Sequence, residues 1–418
     1  MKQGTQPEGR RFGALRHPNF AWLWVGLLLS NTGTWMQSTA QGYLVYQLTS
    51  SPLALGLLGF SMAVPMLLLP LFGGVVADRV DRLALLRLTN TAWLVMTLVL
   101  TVLTWLGRVT YWQILLVSFL SAVLLAFDNP TRQALIPDLV PRSELLSAIS
   151  LNSVVFTGAS LVGPAVAGLL LRLFGEDLYR GAAVVFLVNA VSYLAVLAPL
   201  VWWIRPPPRR REAPAASIGA SLLEGLRYVK SRPPLVILVL LTAVTSVFGR
   251  SSSQLLPVFA RDVLRVGPDG LGLMYSAPGA GTLLGGTLLA ALGPVGRQRR
   301  LVAWATAGFS LTIFGFAFST AYPLSLVMLF LGGLSSTVAA ATVSTLLQAQ
   351  SPAALRGRVM SLQTLAIIGM GPLGGLLSGA LATWLPAPLA ISLTAAVMLL
   401  FLLAVVTTQP AWKEVEPD

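Results

Sequence analysis

The side chains that carry most enzymatic chemistry are nearly missing from this chain. It has no cysteine and one histidine, His17, so zinc, iron–sulfur and Cys/His nucleophile sites lack their ligands or bases. Ionisable chemistry must come from 15 acidic and 28 basic residues, 10% of the 418. Among the long apolar runs only Asp128 supplies an acid and only Arg250 a base, the latter within Gly249-Arg250-Ser-Ser-Ser-Gln254. A charge at membrane depth marks a gate, a proton site or a substrate contact. Asp128 reads as part of a charge cluster with Asp78, Arg79, Arg82 and Arg132 that stabilises one access state, or as a proton site. Arg250 reads as an attractor for an anionic or carbonyl-rich substrate, or as an arginine that snorkels to the outer interface.

Uncharged polar residues form a second set. Asn31, Thr34, Ser38 and Gln41 recur at helical steps, so they share one face that fronts either a cavity or a neighbouring helix. Trp35 beside them offers apolar contact to a bulky substrate, and Gln254 and Gln363 are further cavity candidates. The run Gly369-Met-Gly371-Pro372-Leu-Gly374-Gly375 lacks the Lys-Ser/Thr of a phosphate loop, so close helix packing or a hinge explains it better. No ATP-binding signature, metal cluster or cofactor motif is present in the sequence.

The elements that must hold these residues follow from composition. Apolar residues make up 55% of the chain and mean hydropathy is +0.77. That is enough for about twelve helices of about 20 residues each. A soluble globular protein is excluded, because charges are too few to cover a water-facing surface. Stretches free of Asp, Glu, Lys and Arg cut the chain into twelve candidate spans. Turns are expected at Thr49–Pro52, Ala321–Pro323 and Leu385–Pro388. The runs are continuously apolar and of helix length, so the fold class is an all-α membrane protein with two six-helix bundles. With the N-terminus inside, 22 basic residues fall in inner segments and 5 in outer ones, which puts both termini in the cytoplasm. The net charge of +13 is therefore mainly a topology signal, and nucleic acid is not expected as a partner.

The expected organisation is a cytoplasmic segment 1–18, a bundle 19–204, a linker 205–232 rich in Arg and Pro, a bundle 233–408 and a cytoplasmic tail 409–418. An amphipathic piece near Leu222–Val229 would lie on the membrane surface. A repeat supports the two halves. Pro52 and Gly56 match Pro268 and Gly272 at an offset of 216, and Pro141, Gly163 and Gly168 match Pro352, Gly374 and Gly379 at 211.

At the inner end of span 2 stands Gly74-Val-Val-Ala-Asp78-Arg79-Val80-Asp81-Arg82. It resembles the signature of the major facilitator superfamily, with Asp81 where the motif's second Gly is usual. The resemblance covers essentially the whole chain and is nearest the drug-efflux and enterobactin-exporter-like branch. It rests on Asp128-Asn129-Pro130-Thr-Arg132, Pro137-Asp138-Leu-Val-Pro141, Leu255-Leu256-Pro257-Val-Phe-Ala-Arg261-Asp262 and Arg356-Gly357-Arg358. Span 5 carries Gly158, Gly163, Pro164 and Gly168, similar to the Gly-Pro motif of antiporting exporters. The arginine that many proton-coupled members carry in helix 4 has no counterpart in 111–127. The resemblance implies a monomeric secondary transporter of the bacterial cytoplasmic membrane. It would export a small, partly apolar, drug-like compound by alternating access and proton antiport, as in multidrug resistance. The alternative is export of an enterobactin-like siderophore. A membrane-embedded enzyme is not expected.

Overall fold

A computed structural model describes residues 13–69, 80–175, 177–204, 218–293 and 296–415. The described residues form helices and no strands. The first six long helices are α1 Pro18–Thr49, α2 Pro52–Leu68, α3 Arg82–Trp105, α4 Tyr111–Leu139, α5 Leu145–Leu173 and α6 Leu178–Ala198. The linker contributes α7, Ile218–Lys230. The rest are α8 Pro233–Val263, α9 Gly267–Leu292, α10 Gln298–Ala317, α11 Tyr322–Ala349, α12 Ala353–Trp384 and α13 Ala387–Thr408. Among the described residues nine of these helices are long and apolar enough to cross a membrane. The polar stripe of α1 and the glycines of α9 lower their apolarity, and α2 is short as far as it is described.

Local chemistry sets the boundaries. Ser50 turns left-handed with φ 47° after α1, Ser51 caps α2, and Pro52 occupies its first turn. Asp81 caps α3 by accepting from the Ala84 amide at 2.8 Å. The Gln113 carboxamide accepts from the Thr110 amide at 2.9 Å to start α4. The expected turns after spans 1, 9 and 11 fall between helices where the sequence placed them. Span 4 is the exception. Charge alone ends it near residue 127, yet α4 runs through Pro130 and Pro137 to Leu139.

The apolar core is divided unevenly. One cluster joins Met36, Leu44, Leu55 and Leu171 to Leu255, Phe259, Leu271, Met274 and Phe316, so it spans both halves of the sequence. A second is confined to the first half, around Ala14, Leu23, Leu135, Leu151 and Leu200. The third is confined to the second half, around Val229, Leu238, Leu346 and Trp412. The shared cluster lies at the end carrying Thr49, Pro52 and Gly267. The separate clusters lie at the end carrying Ala14, Val229 and Val415, close to both termini.

Two helix pairs seal the shared end, and both rely on glycine. A methyl group at Gly168 of α5 would sit 2.6 Å from the Pro268 carbonyl oxygen and 3.0 Å from the Gly272 Cα of α9. One at Gly379 of α12 would sit 2.7 Å from the Pro52 carbonyl oxygen and 3.1 Å from the Gly56 Cα of α2. Only residues without side chains let these backbones approach so closely. The four glycines and two prolines are those matched by the sequence repeat.

Candidate functional site

The helices that meet at the shared end build a roof between the halves. The Gln254 carboxamide of α8 donates to the Leu55 carbonyl of α2 at 2.5 Å, and it packs beside Gly59 and Gly375. A methyl group on Gly42 of α1 would sit 3.4 Å from the Tyr275 hydroxyl of α9 and 3.6 Å from Pro257.

Outside this roof lies a polar latch. Tyr46 donates its hydroxyl to the Asp262 carboxylate. Arg261 donates to the Tyr46 carbonyl at 3.2 Å and to the Ser50 hydroxyl at 3.1 Å. Its guanidinium lies 4.2 Å from the Tyr46 ring centroid, within cation–π range. Arg172 and Asp269 add an ion pair at 2.6 Å. In the sequence Arg261 and Asp262 stand out only within the family resemblance and, for Arg261, as an outer basic residue. Their partner Tyr46 is about half a chain away, and only the 216-residue repeat could have brought the two regions together.

Below the roof, α8 carries Arg250. A π-helical turn, Thr245–Gly249, immediately precedes it. Such turns widen the helix and displace the following side chain. Arg250 is exposed, and a methyl group at Gly371 of α12 would meet its Cδ at 3.0 Å. Among the described residues its guanidinium has no carboxylate or hydrogen-bond partner. It stands one turn, about 6 Å, from Gln254.

The α1 stripe divides. Thr34 and Ser38 are exposed and Asn31 is half-buried, bonded to the Leu27 carbonyl at 2.7 Å. Gln41 is buried against the neighbouring helix α4, the second of the two settings that its face allowed. Its Oε1 accepts from the Ser118 hydroxyl at 3.5 Å, while its Nε2 is buried without a partner among the described residues. Trp35 meets Phe156 of α5 edge-on, with centroids 6.0 Å apart at 71°. Gln363 is also buried rather than open, inside α12.

The proposed charge cluster is rearranged. Asp128 is 3% exposed and accepts from Thr89 at 2.8 Å and Asn90 at 3.1 Å, both on α3. Arg132 lies 3.8 Å from its other oxygen. Arg82 does not join them: it pairs with Asp138 at 2.8 Å and donates to the Ala134 carbonyl at 2.7 Å. The cause is the added length of α4, which presents Asp138 to the start of α3. Gly74, Asp78 and Arg79 lie outside the described residues. In the Gly-Pro motif, Gly163 packs α5 on α1, where a methyl group would be 2.7 Å from the Thr32 carbonyl oxygen. The Pro164 carbonyl contacts Gly272. Gly158 has open space around it, so close packing does not explain it.

Comparisons with known proteins bear on this arrangement. The family described as a transmembrane secretion effector matches residues 10–417. The Staphyloferrin A transporter of Staphylococcus aureus is 31% identical over 167 residues, covering 40% of this chain and 41% of that protein's length. The enterobactin exporter EntS of Escherichia coli is 26% identical over 367 residues, covering 87% of this chain and 85% of that protein. Among solved structures, a bacterial homolog of the human lysosomal transporter Spinster, inward-facing and unoccupied, superposes with a TM-score of 0.72. It is 16% identical and covers 95% of this chain and 97% of that one, which shows a shared fold.

Proposed function

The chain belongs to the transmembrane secretion effector family of major facilitator transporters, and on that premise we propose that it exports a small, partly apolar organic compound. It is a multi-pass membrane transporter and not an enzyme. In the proposed mechanism twelve helices span the bacterial cytoplasmic membrane with both termini inside. Bundles 19–204 and 233–408 rock about a central site, opening it to one side at a time.

The observation that carries this reading is the divided core. The halves share apolar packing at the latched end and keep separate clusters at the end near the termini. That is the packing of one access state, with the cavity open towards the cytoplasm. Asp128 with Thr89 and Asn90, and Arg82 with Asp138, are then intra-bundle ties that keep α3 and α4 moving as a unit.

Without a nucleotide site, the energy comes from an ion gradient, and protons in antiport are the proposed coupling ion. Asp128, Glu144 or the substrate itself would carry the proton. Purified protein in proteoliposomes should show substrate flux that responds to an imposed pH gradient. Flux indifferent to gradients of both signs removes proton antiport.

A second reading is supported by the names of the two relatives: the compound is a siderophore. Substrate-stimulated counterflow with a siderophore and, separately, with a macrolide distinguishes the two substrate classes.

A further inference from the structure

The repeat has a register finer than helix against helix. Gly163 of α5 packs against the Thr32 carbonyl of α1, and Gly374 of α12, 211 residues later, packs against the Val247 carbonyl of α8. Thr32 and Val247 are 215 apart, and the same step carries Trp35 onto Arg250. Each side chain also packs against a glycine of the partner helix, Trp35 at Gly163 and Arg250 at Gly371, one turn before Gly374. Trp35 Cβ would lie 2.7 Å from a methyl group on Gly163, and Arg250 Cδ would lie 3.0 Å from one on Gly371. The two halves therefore present an indole and a guanidinium at matching heights under one roof.

Their surroundings differ as a ligand would require. The Trp35 side is aromatic, with Phe156 edge-on and 61% exposed. The exposed hydroxyl residues Thr34 and Ser38 stand on the same helix. The Arg250 side offers a planar fork of N–H donors with its stem fixed on Gly371 and with no partner among the described residues. Such a fork suits paired oxygens of a carboxylate or catecholate, and an aromatic wall suits a flat ring.

We propose that the side chains beneath the Gln254–Leu55 bridge bind an organic anion bearing an aromatic ring, its acidic oxygens on Arg250 and its ring against Trp35 and Phe156. This deepens the export reading by naming a substrate class, and it rests on that reading for the cavity's role. The anion completes the hydrogen bonding of Arg250 one turn from the bridge that holds the roof shut.

The test uses the full chain in nanodiscs and equilibrium binding of radiolabelled 2-naphthoate, with protein-free nanodiscs as background. The expected result is saturable binding, displaced better by unlabelled 2-naphthoate than by cyclohexanecarboxylate. Arg250→Gln should weaken 2-naphthoate by about tenfold or more while leaving neutral 2-naphthamide unchanged. Arg250→Lys, which keeps the charge and controls for folding, should retain most of the affinity. Trp35→Ala should abolish the preference for the aromatic over the alicyclic acid. No saturable binding to the parent protein, or equal 2-naphthoate affinity in Arg250→Gln, overturns the proposal. Flux measurements separate the two readings. Binding through Arg250 without net outward transport keeps the site and removes export. Export of other compounds without 2-naphthoate binding keeps export and removes the site.

Discussion

Tyr46 holds the latch in two ways, through its hydroxyl on Asp262 and through its ring beneath Arg261. A hydrogen bond to a charged group is worth about 1.5–3 kcal/mol, so Tyr46→Phe should shift the access equilibrium by about tenfold or more towards opening at the latched end. The chain has no cysteine, so a Ser38→Cys reporter supplies its sole thiol. An impermeant maleimide added from the latched side should label it faster in Tyr46→Phe than in the reporter alone, and equal rates would remove the latch. Asp128 belongs to a different kind of contact. Thr89→Val removes one of its donors and should lower stability by about 1 kcal/mol, read as a fall in apparent Tm in detergent. The sequence exposed Asp128 and Arg250 because charge is scarce inside the spans. It concealed Thr89, Asn90 and Tyr46, since uncharged polar residues are common in such helices and only three-dimensional packing tells donors from bystanders. It mispaired Arg82 because residue counting stopped α4 near residue 127, short of Asp138.

At the scale of helices, two seams hold the closed end, α5 on α9 and α2 on α12. Gly168→Leu and Gly379→Leu should each force a seam apart, because even a methyl group meets backbone atoms at 2.6 Å and 2.7 Å respectively. The repeat predicts similar effects for the two: faster labelling of the Ser38→Cys reporter from the latched side and a lower Tm. Gly158→Ala provides the contrast, with no change expected, because nothing lies within 4 Å of its added methyl group. Which helices form the seams was hidden, but their residues were legible beforehand, since Pro52 and Gly56 recur as Pro268 and Gly272 at an offset of 216 and Gly168 recurs as Gly379 at 211. The π-helical turns of α8 were not, because no residue type marks the hydrogen-bond shift that makes them.

For the whole molecule, the divided core predicts where solvent enters. Leu146, near the terminal end of α5, is 78% exposed although it belongs to an apolar helix. A single Leu146→Cys should be labelled from the side of the termini and be protected when an outward-open state is favoured; labelling from the opposite side alone would reverse the proposed orientation. The symmetry of the seams reaches further, into the relation between the two halves. The first half carries one partner of each seam, Gly168 on α5 and Gly56 on α2. In the complete molecule these meet Gly272 and Gly379, which the repeat makes equivalents of Gly56 and Gly168. Two copies of the first half could thus close face to face, α5 of each against α2 of the other. The closed interface thus has the two-fold character of a homodimer contact within one chain, and the symmetry is broken where Trp35 of one half stands in register with Arg250 of the other.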